Sequence, residues 1–178
     1  SIDYQVSLFN INIKDKLTQL RGTMNNAEQT PYSYWANTGD QDNKGLEMSL
    51  GYVYKPNNFF ISKIQPFASY TYNDFKYSKF NTFLKEHGQT AGVMNYNDKN
   101  VVGVPKTKIS LGVDFDTNFG LYWQNTYNYM GSVYTDFANE NKVKSFGLLN
   151  SKIGYKHSFN KFDVDVFVIG NNLTNQIN

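Results

Sequence analysis

The chain has 178 residues, 40% hydrophobic, 17% aromatic and 18% charged, with no cysteine and a formal charge of +2. This near balance leaves no electrostatic footprint for nucleic acid, and the lack of cysteine excludes a disulfide framework and a thiolate metal site. A mean hydropathy of −0.56 and the absence of any run of about 18 apolar residues exclude a membrane-spanning helix, but not a membrane β-barrel, whose strands are apolar only at alternate positions.

In chain order, period-two segments rich in Tyr, Phe, Val and Ile predict seven strands, near 2–14, 32–54 (interrupted), 66–77, 105–116, 120–135, 145–159 and 162–174. The segment 45–54 sets Leu46, Met48, Leu50, Tyr52 and Tyr54 against Glu47, Ser49, Gly51 and Val53. Segment 105–116 repeats this with Ile109, Leu111, Val113 and Phe115 opposite Lys108, Ser110, Gly112 and Asp114. In 120–129, Leu121, Trp123, Tyr127 and Tyr129 share a face with Asn125, and in 162–170 Phe162, Val164, Val166 and Val168 oppose Asp163, Asp165, Phe167 and Ile169. The fold class this predicts is all-β: an antiparallel up-and-down meander of about seven strands.

The connections carry further information. Those near 116–120 and 159–162 are tight, that at 55–65 is intermediate, and those near 15–31, 78–104 and 136–144 are long and polar. Long links alternating with shorter ones are the habit of an outer-membrane barrel, with short periplasmic turns and longer extracellular loops. A ten-residue strand at about 3.3 Å per residue, tilted by about 45°, covers roughly 23 Å, close to the apolar band of such barrels. Glu47 then faces the interior and Leu46, Met48 and Leu50 face lipid. A half-buried strand of a soluble sheet makes the same alternation. The clustering of Tyr52, Tyr54, Tyr70, Tyr72, Tyr127, Tyr129 and Tyr155 at strand ends, as an interfacial girdle requires, favours a segment of a transmembrane β-barrel.

Several stretches resemble, in order, the C-terminal part of the barrel of TonB-dependent outer-membrane receptors. Leu8 to Leu17 is similar to that family's strand ending in Lys-Asp-x-Leu, and Asn37-Thr38-Gly39 with Lys44-Gly45-Leu46-Glu47 to its Asn-x-Gly and Lys-Gly-hydrophobic-Glu element. Ala68 to Tyr72 resembles the next strand, and Val101 to Lys106 the Pro-Gly-x-Pro entry of the one after, with Val102 in place of its usual Pro. Asn171 to Asn175 resembles the Asn-Leu element of the penultimate strand. The resemblance covers nearly the whole chain and implies a 178-residue piece of a larger barrel, residues 1–178, without plug domain, energy-coupling box or last strand.

It also implies energised uptake of a scarce ligand, a ferric siderophore or haem. The implied partners are outer-membrane lipid, the iron chelate and an inner-membrane energy-coupling protein reached through N-terminal regions. The segment looks closer to siderophore-type receptors than to oligosaccharide importers. Binding would then draw on the extracellular rim, where Tyr32, Tyr34, Trp35, Phe83, His87, Tyr96, Tyr134 and Phe137 are candidates, because aromatic rings stack on flat ligands. The competing role for each is girdle residue or loop anchor.

No nucleophile, base and orienting group assemble into a catalytic set, and no resident cofactor or metal is expected. Of the two histidines, His87 is expected as a solvated loop residue and His157 as a structural residue near a tight turn. Asp114 with Asp116, and Asp163 with Asp165, share faces at i, i+2, which suits a polar barrel interior better than acid–base work. The rival function is a soluble β-sandwich binding carbohydrate or protein through its loops; an enzyme ranks third.

Overall fold

Strict alternation gives each strand two chemically different faces, and pairing in register joins those faces across a sheet. In the computed structural model, which describes residues 1–23, 30–37, 39–57, 59–86 and 89–176, the strands are β1 (Ile2–Ile13), β2 (Leu17–Thr23), β3 (Pro31–Asn37), β4 (Asp40–Tyr52), β5 (Ile61–Lys79), β6 (Asn81–Glu86), β7 (Gln89–Asn95), β8 (Thr107–Thr117), β9 (Leu121–Met130), β10 (Val133–Tyr134), β11 (Lys142–Val143), β12 (Phe146–Ser158) and β13 (Asp163–Gly170). Seven of them form one sheet in the order β1-β4-β5-β8-β9-β12-β13, and the six others pair as β2-β3, β6-β7 and β10-β11. Every pairing is antiparallel, as the meander predicts.

The register aligns the two faces into rows. Tyr4, Leu50, Ala68, Leu111, Tyr127 and Leu149 stand opposite one another in turn across six strands. One residue along, the row is Gln5, Ser49, Ser69, Ser110, Asn128 and Leu148. A shallow depression on the first face is lined by Val6, Met48, Leu50, Tyr70, Ile109 and Leu111. One on the second face is lined mainly by Gln5, Ser7, Glu47, Ser49, Ser69 and Thr71, so Glu47 lies on the polar side.

No second sheet covers either face among the described residues. Leu8 is 79% exposed and Val168 70%, and among the described residues the buried apolar side chains are only Tyr77, Phe80, Val101 and Tyr122. This is a single open wall and not a sandwich: its apolar face meets no partner sheet among the described residues, the arrangement expected of a face that packs on lipid.

The apolar face has definite limits. It runs from the row of Ile64, Phe115, Trp123, Ile153 and Val168, extended below on three strands by Leu121, Tyr155 and Val166, up to the row of Leu8, Leu46 and Tyr72. Those eight steps along β5 are about 26 Å of strand, or roughly 20 Å of height at the usual barrel tilt. Above them the same face turns polar, at Asn10, Lys44 and Asp74 and then at Asn12, Asp42 and Lys76. All three two-stranded ribbons lie in the connections at this polar end, while the links 53–60, 118–120 and 159–162 close the other end.

Four details differ from the sequence reading. The loops predicted at 15–31, 78–104 and 136–144 hold β2, β6, β7 and β11, and the partners β3 and β10, read as the start of the strand 32–54 and the end of the strand 120–135, belong to two-stranded ribbons and not to the seven-stranded sheet. β5 begins at Ile61, ahead of Pro66. The N–H that Pro66 lacks would point, like that of Ile64, toward β4, where the ladder pauses between Phe67↔Gly51 and the Ile64↔Tyr54 bridge. The strand predicted over 120–135 stops at Met130, where Gly131 intervenes before β10.

Finally, β13 ends at Gly170 and not at 174. Asn172 and Asn175 adopt left-handed φ values of 53° and 51°, which asparagine tolerates better than most residues. The Asn172 N–H then donates to Asn150 Oδ1 at 3.0 Å, and Leu173 N–H to the Leu149 carbonyl at 2.8 Å. The Asn-Leu element is thus a locked turn at the strand's upper end.

Candidate ligand-binding rim

The polar end is built on a lock between two sequence motifs. Asp15 has a φ of 51°, and its N–H donates to Asp40 Oδ1 at 3.1 Å. Its own carboxylate accepts from Asn37 Nδ2 at 3.0 Å, while Asn37 Oδ1 accepts from the Gly39 N–H at 2.7 Å. The Lys16 N–H donates to the Gly39 carbonyl at 2.9 Å. Gly39 has a φ of +82° and lies against the Lys79 backbone with no room for a Cβ. The Lys-Asp-x-Leu and Asn-x-Gly elements are therefore two halves of one clasp, which fixes where the β2-β3 ribbon leaves the wall. Beside it, Lys14, Asp15, Asn37, Gly39, Asp40, Lys79 and Asn81 line an open polar recess of about 470 Å³. Lys79 Nζ stands 3.6 Å from Asp40 Oδ2.

A second construction joins the next two connections. Phe80 is fully buried, with ring centroids 4.9 Å from Tyr77, 5.1 Å from Tyr96 and 5.0 Å from Phe137. Val101, Val104 and Phe75 complete this cluster. Beside it, Asn139 Oδ1 accepts from the Asn100 N–H at 2.7 Å and Asn139 Nδ2 donates to the Asn100 carbonyl at 3.0 Å. Asp136 secures the turn beyond, accepting from the N–H of Glu140 at 3.1 Å and of Asn141 at 2.6 Å. Those backbone donors hold its carboxyl below the ordinary carboxylate range.

The eight rim candidates are not brought to one place. Tyr32 and Tyr34 lie half-buried on one side of β3 with rings 5.6 Å apart, whereas Trp35 is on the other side, opposite Gln19 and 69% exposed. Tyr96 and Phe137 meet at 5.8 Å, but inside the Phe80 cluster, in which they anchor the two connections to each other. Tyr134 pairs with Lys142 and its carbonyl accepts from Gly103 N–H at 3.0 Å. Phe83 stands opposite Val93 in the β6-β7 ladder, and His87 lies outside the described residues. Sequence reasoning did not single out Tyr77 and Phe80. Phe80 follows directly on β5 in a stretch read as a polar loop, and its unbroken position after a strand of alternating aromatics was the available signal.

The inner wall below the rim is polar and engaged. Tyr122 Oη donates to Asp165 Oδ1 at 2.9 Å, and the ammonium groups of Lys152 and Lys156 sit 5.1 and 4.9 Å from its ring centre. Lys63 pairs with Asp116 at 2.8 Å. Gln41 Nε2 and Asn43 Oδ1 are buried without a hydrogen-bond partner among the described residues. Among the described residues no three metal-ligating side chains converge. His157 is held between Tyr155, stacked at 6.2 Å, and Phe159, edge-on at 4.6 Å, a structural position.

One sheet with a lipid-facing band, a polar inner wall, ribbons at one end and tight turns at the other is a section of an outer-membrane barrel wall. The chain belongs to the family described as TonB dependent receptor-like, beta-barrel, whose profile matches residues 1–173. That membership places it in the bacterial outer membrane, among receptors and not enzymes. Among solved structures it is similar to the siderophore receptor PiuA from Acinetobacter baumannii, with a TM-score of 0.68 and 22% identity over 98% of this chain and 22% of that one. The chain thus spans about a fifth of that receptor's length. No curated protein sequence matches it.

Proposed function

We propose that this chain forms the C-terminal part of the barrel wall and extracellular rim of a receptor for energised uptake of a ferric siderophore, with haem as the second ligand class. The observation that carries the reading is the division of the wall into three levels. A lipid-facing band gives way to a polar collar, and the collar bears three ribbons, the first of which carries the exposed Trp35. The likeness to a siderophore receptor supports the ligand class. In this reading the plug, the closing strand and the segment that meets the inner-membrane energy-coupling protein belong to parts of the receptor beyond these 178 residues.

The rim candidates divide by their surroundings. Trp35, Tyr32, Tyr34 and Tyr134 are the ligand-facing set, to which Phe83 and His87 belong by their place in the connection, while Tyr96 and Phe137 act through the loop positions they hold. The test is binding by the full-length receptor of ferric catecholate, ferric hydroxamate and haem, together with growth on each as sole iron source. Tight binding of a ferric siderophore, weakened at least about tenfold by Trp35→Ala, is the expected result. Haem-only binding would move the receptor to the second class, and binding of neither would overturn the iron reading.

A further inference from the structure

The three short links at the non-ribbon end have an unusual composition. Residues 53–60, 118–120 and 159–162 contain five phenylalanines, Phe59, Phe60, Phe119, Phe159 and Phe162, and two lysines, Lys55 and Lys161, with no acidic residue. All five phenylalanines are between 50% and 84% exposed. Such rings are unfavourable in water, and turn tips are ordinarily polar.

The turns are also held firmly in a row. Asn118 Nδ2 donates to the Phe59 carbonyl at 3.1 Å and the Asn118 N–H to the Phe60 carbonyl at 3.0 Å, tying the first turn to the second. Gly120, at a φ of +97°, accepts from the Lys156 N–H at 2.9 Å and ties the second to β12. The third is continuous with the lipid-facing side: Phe159 packs on Phe162 at 4.8 Å and on His157, which follows Tyr155 on the face shared by Val164 and Val166.

We propose that these turns are membrane feet: their phenylalanines are immersed in the periplasmic phospholipid leaflet, and Lys55 and Lys161 pair with its phosphate groups. The inference rests on the outer-membrane placement of the family and is independent of the transported ligand. Continuity with the apolar band and the all-cationic charge of the turns select phospholipid over a protein as the occupant. Phenylalanine also fits immersion better than tyrosine would, because it has no hydroxyl that must stay at the headgroup level. Tyrosines stand at both limits of the band, at Tyr70, Tyr72 and Tyr129 above and at Tyr54 and Tyr155 below, where they sit closer to the band's middle than the turn phenylalanines do. The wall would thereby be fixed at one depth, which keeps the rim at a constant height above the outer leaflet.

The test uses full-length receptor in phosphatidylethanolamine–phosphatidylglycerol vesicles, with an environment-sensitive fluorophore on a single cysteine at Phe119→Cys or Phe162→Cys. Quenching by a nitroxide borne near the top of the lipid chain should exceed quenching by aqueous iodide at least about threefold. Dominant iodide quenching would overturn the proposal, and protection from both quenchers would overturn it in favour of a protein partner over the turns. If a cysteine variant fails to fold, Phe119→Trp keeps the question open to refutation: brominated lipid must quench its emission beyond that of the unsubstituted receptor. Equal quenching of the two proteins would sink the idea. Because ligand binding is not the readout, failure here leaves the uptake reading standing, and the reverse.

Discussion

Ser110 and Leu111 are neighbours in sequence, yet they belong to different solvents. Leu111 stands in the middle row of the lipid-facing band and Ser110 in the polar row beside it. A lysine at the bilayer midplane of a barrel is unfavourable by about 2–4 kcal/mol, whereas a lumen-facing lysine is nearly neutral. Leu111→Lys in the full-length receptor should therefore lower its folding free energy in lipid by about that amount, and Ser110→Lys by less than about 1 kcal/mol. Denaturant titration in vesicles checks the pair, and equal effects would mean that the faces are misassigned.

Another residue-scale prediction concerns Asp136. Its folded-state pKa is lowered by the backbone donors of Glu140 and Asn141, so the carboxylate stabilises that turn at every pH above the ordinary aspartate range. The contribution disappears as the pH falls through the lowered value. Amide exchange of Glu140 and Asn141 should be unchanged from neutral pH down to about 5 and accelerate, relative to other amides, only below about 4. Asp136→Asn should show no such step.

Facing of this kind was legible in the sequence because a period of two is local: each residue's side follows from its neighbours. What Tyr96 and Phe137 do was not legible, because their partner, Phe80, reaches them from another segment and the contact between Tyr96 and Phe137 spans 41 residues. Aromatic type at a rim is the same signal for a stacking platform and for an anchor. Only burial separates Trp35 from Phe137.

At the scale of elements, the Phe80 cluster and the Asn100–Asn139 clamp join the connection between β5 and β8 to that between β9 and β12. The β2-β3 ribbon, by contrast, leaves the wall from its own clasp at Asp15, Asn37 and Gly39. Truncating a fully buried phenylalanine is unfavourable by about 3–5 kcal/mol. Since that packing is confined to the rim, Phe80→Ala should speed amide exchange at 96–104 and 136–141 by about a hundredfold or more while leaving the wall strands protected. Uniform acceleration throughout the sheet would show that the cluster is part of the global core.

The wall has its own close-packed devices. Phe9, Phe67 and Tyr122 each lie across the glycine directly opposite, Gly45, Gly112 and Gly154, so that a Cβ there would enter the ring. Gly112→Val should displace Phe67 and destabilise the barrel by about 1–3 kcal/mol, read by thermal unfolding in detergent. The wall strands were visible in the sequence, whereas β2, β6, β7 and β11 were hidden because they are short stretches of mixed polar and apolar residues with no sustained period-two alternation.

For the whole molecule the decisive feature is that the sheet is open. β1 and β13 are its two edges, and neither pairs with the other among the described residues. Soluble sheets shield such edges with lysine, proline, bulges or short strands. Here β1 runs 12 residues in unbroken register with β4 and has neither lysine nor proline. β13 carries Asp163 and Asp165 at one end and then Val166, Phe167, Val168 and Ile169. Edges of this kind suit strands that are paired on both sides, as every strand of a closed barrel is. It follows that the 178-residue segment, refolded alone in detergent, should associate through β1 and β13 into multimers or fibrillar aggregates, whereas the full-length receptor stays monodisperse at the same concentration. Placing a lysine at Val6 and another at Val168 should suppress that association in the segment, because the charges stand on the outer face at each open edge. In the closed receptor the same substitutions should lower stability without changing the association state. Light scattering of the four samples decides it: a monodisperse unsubstituted segment would mean that the sheet closes on itself, and the single open wall would have to be abandoned.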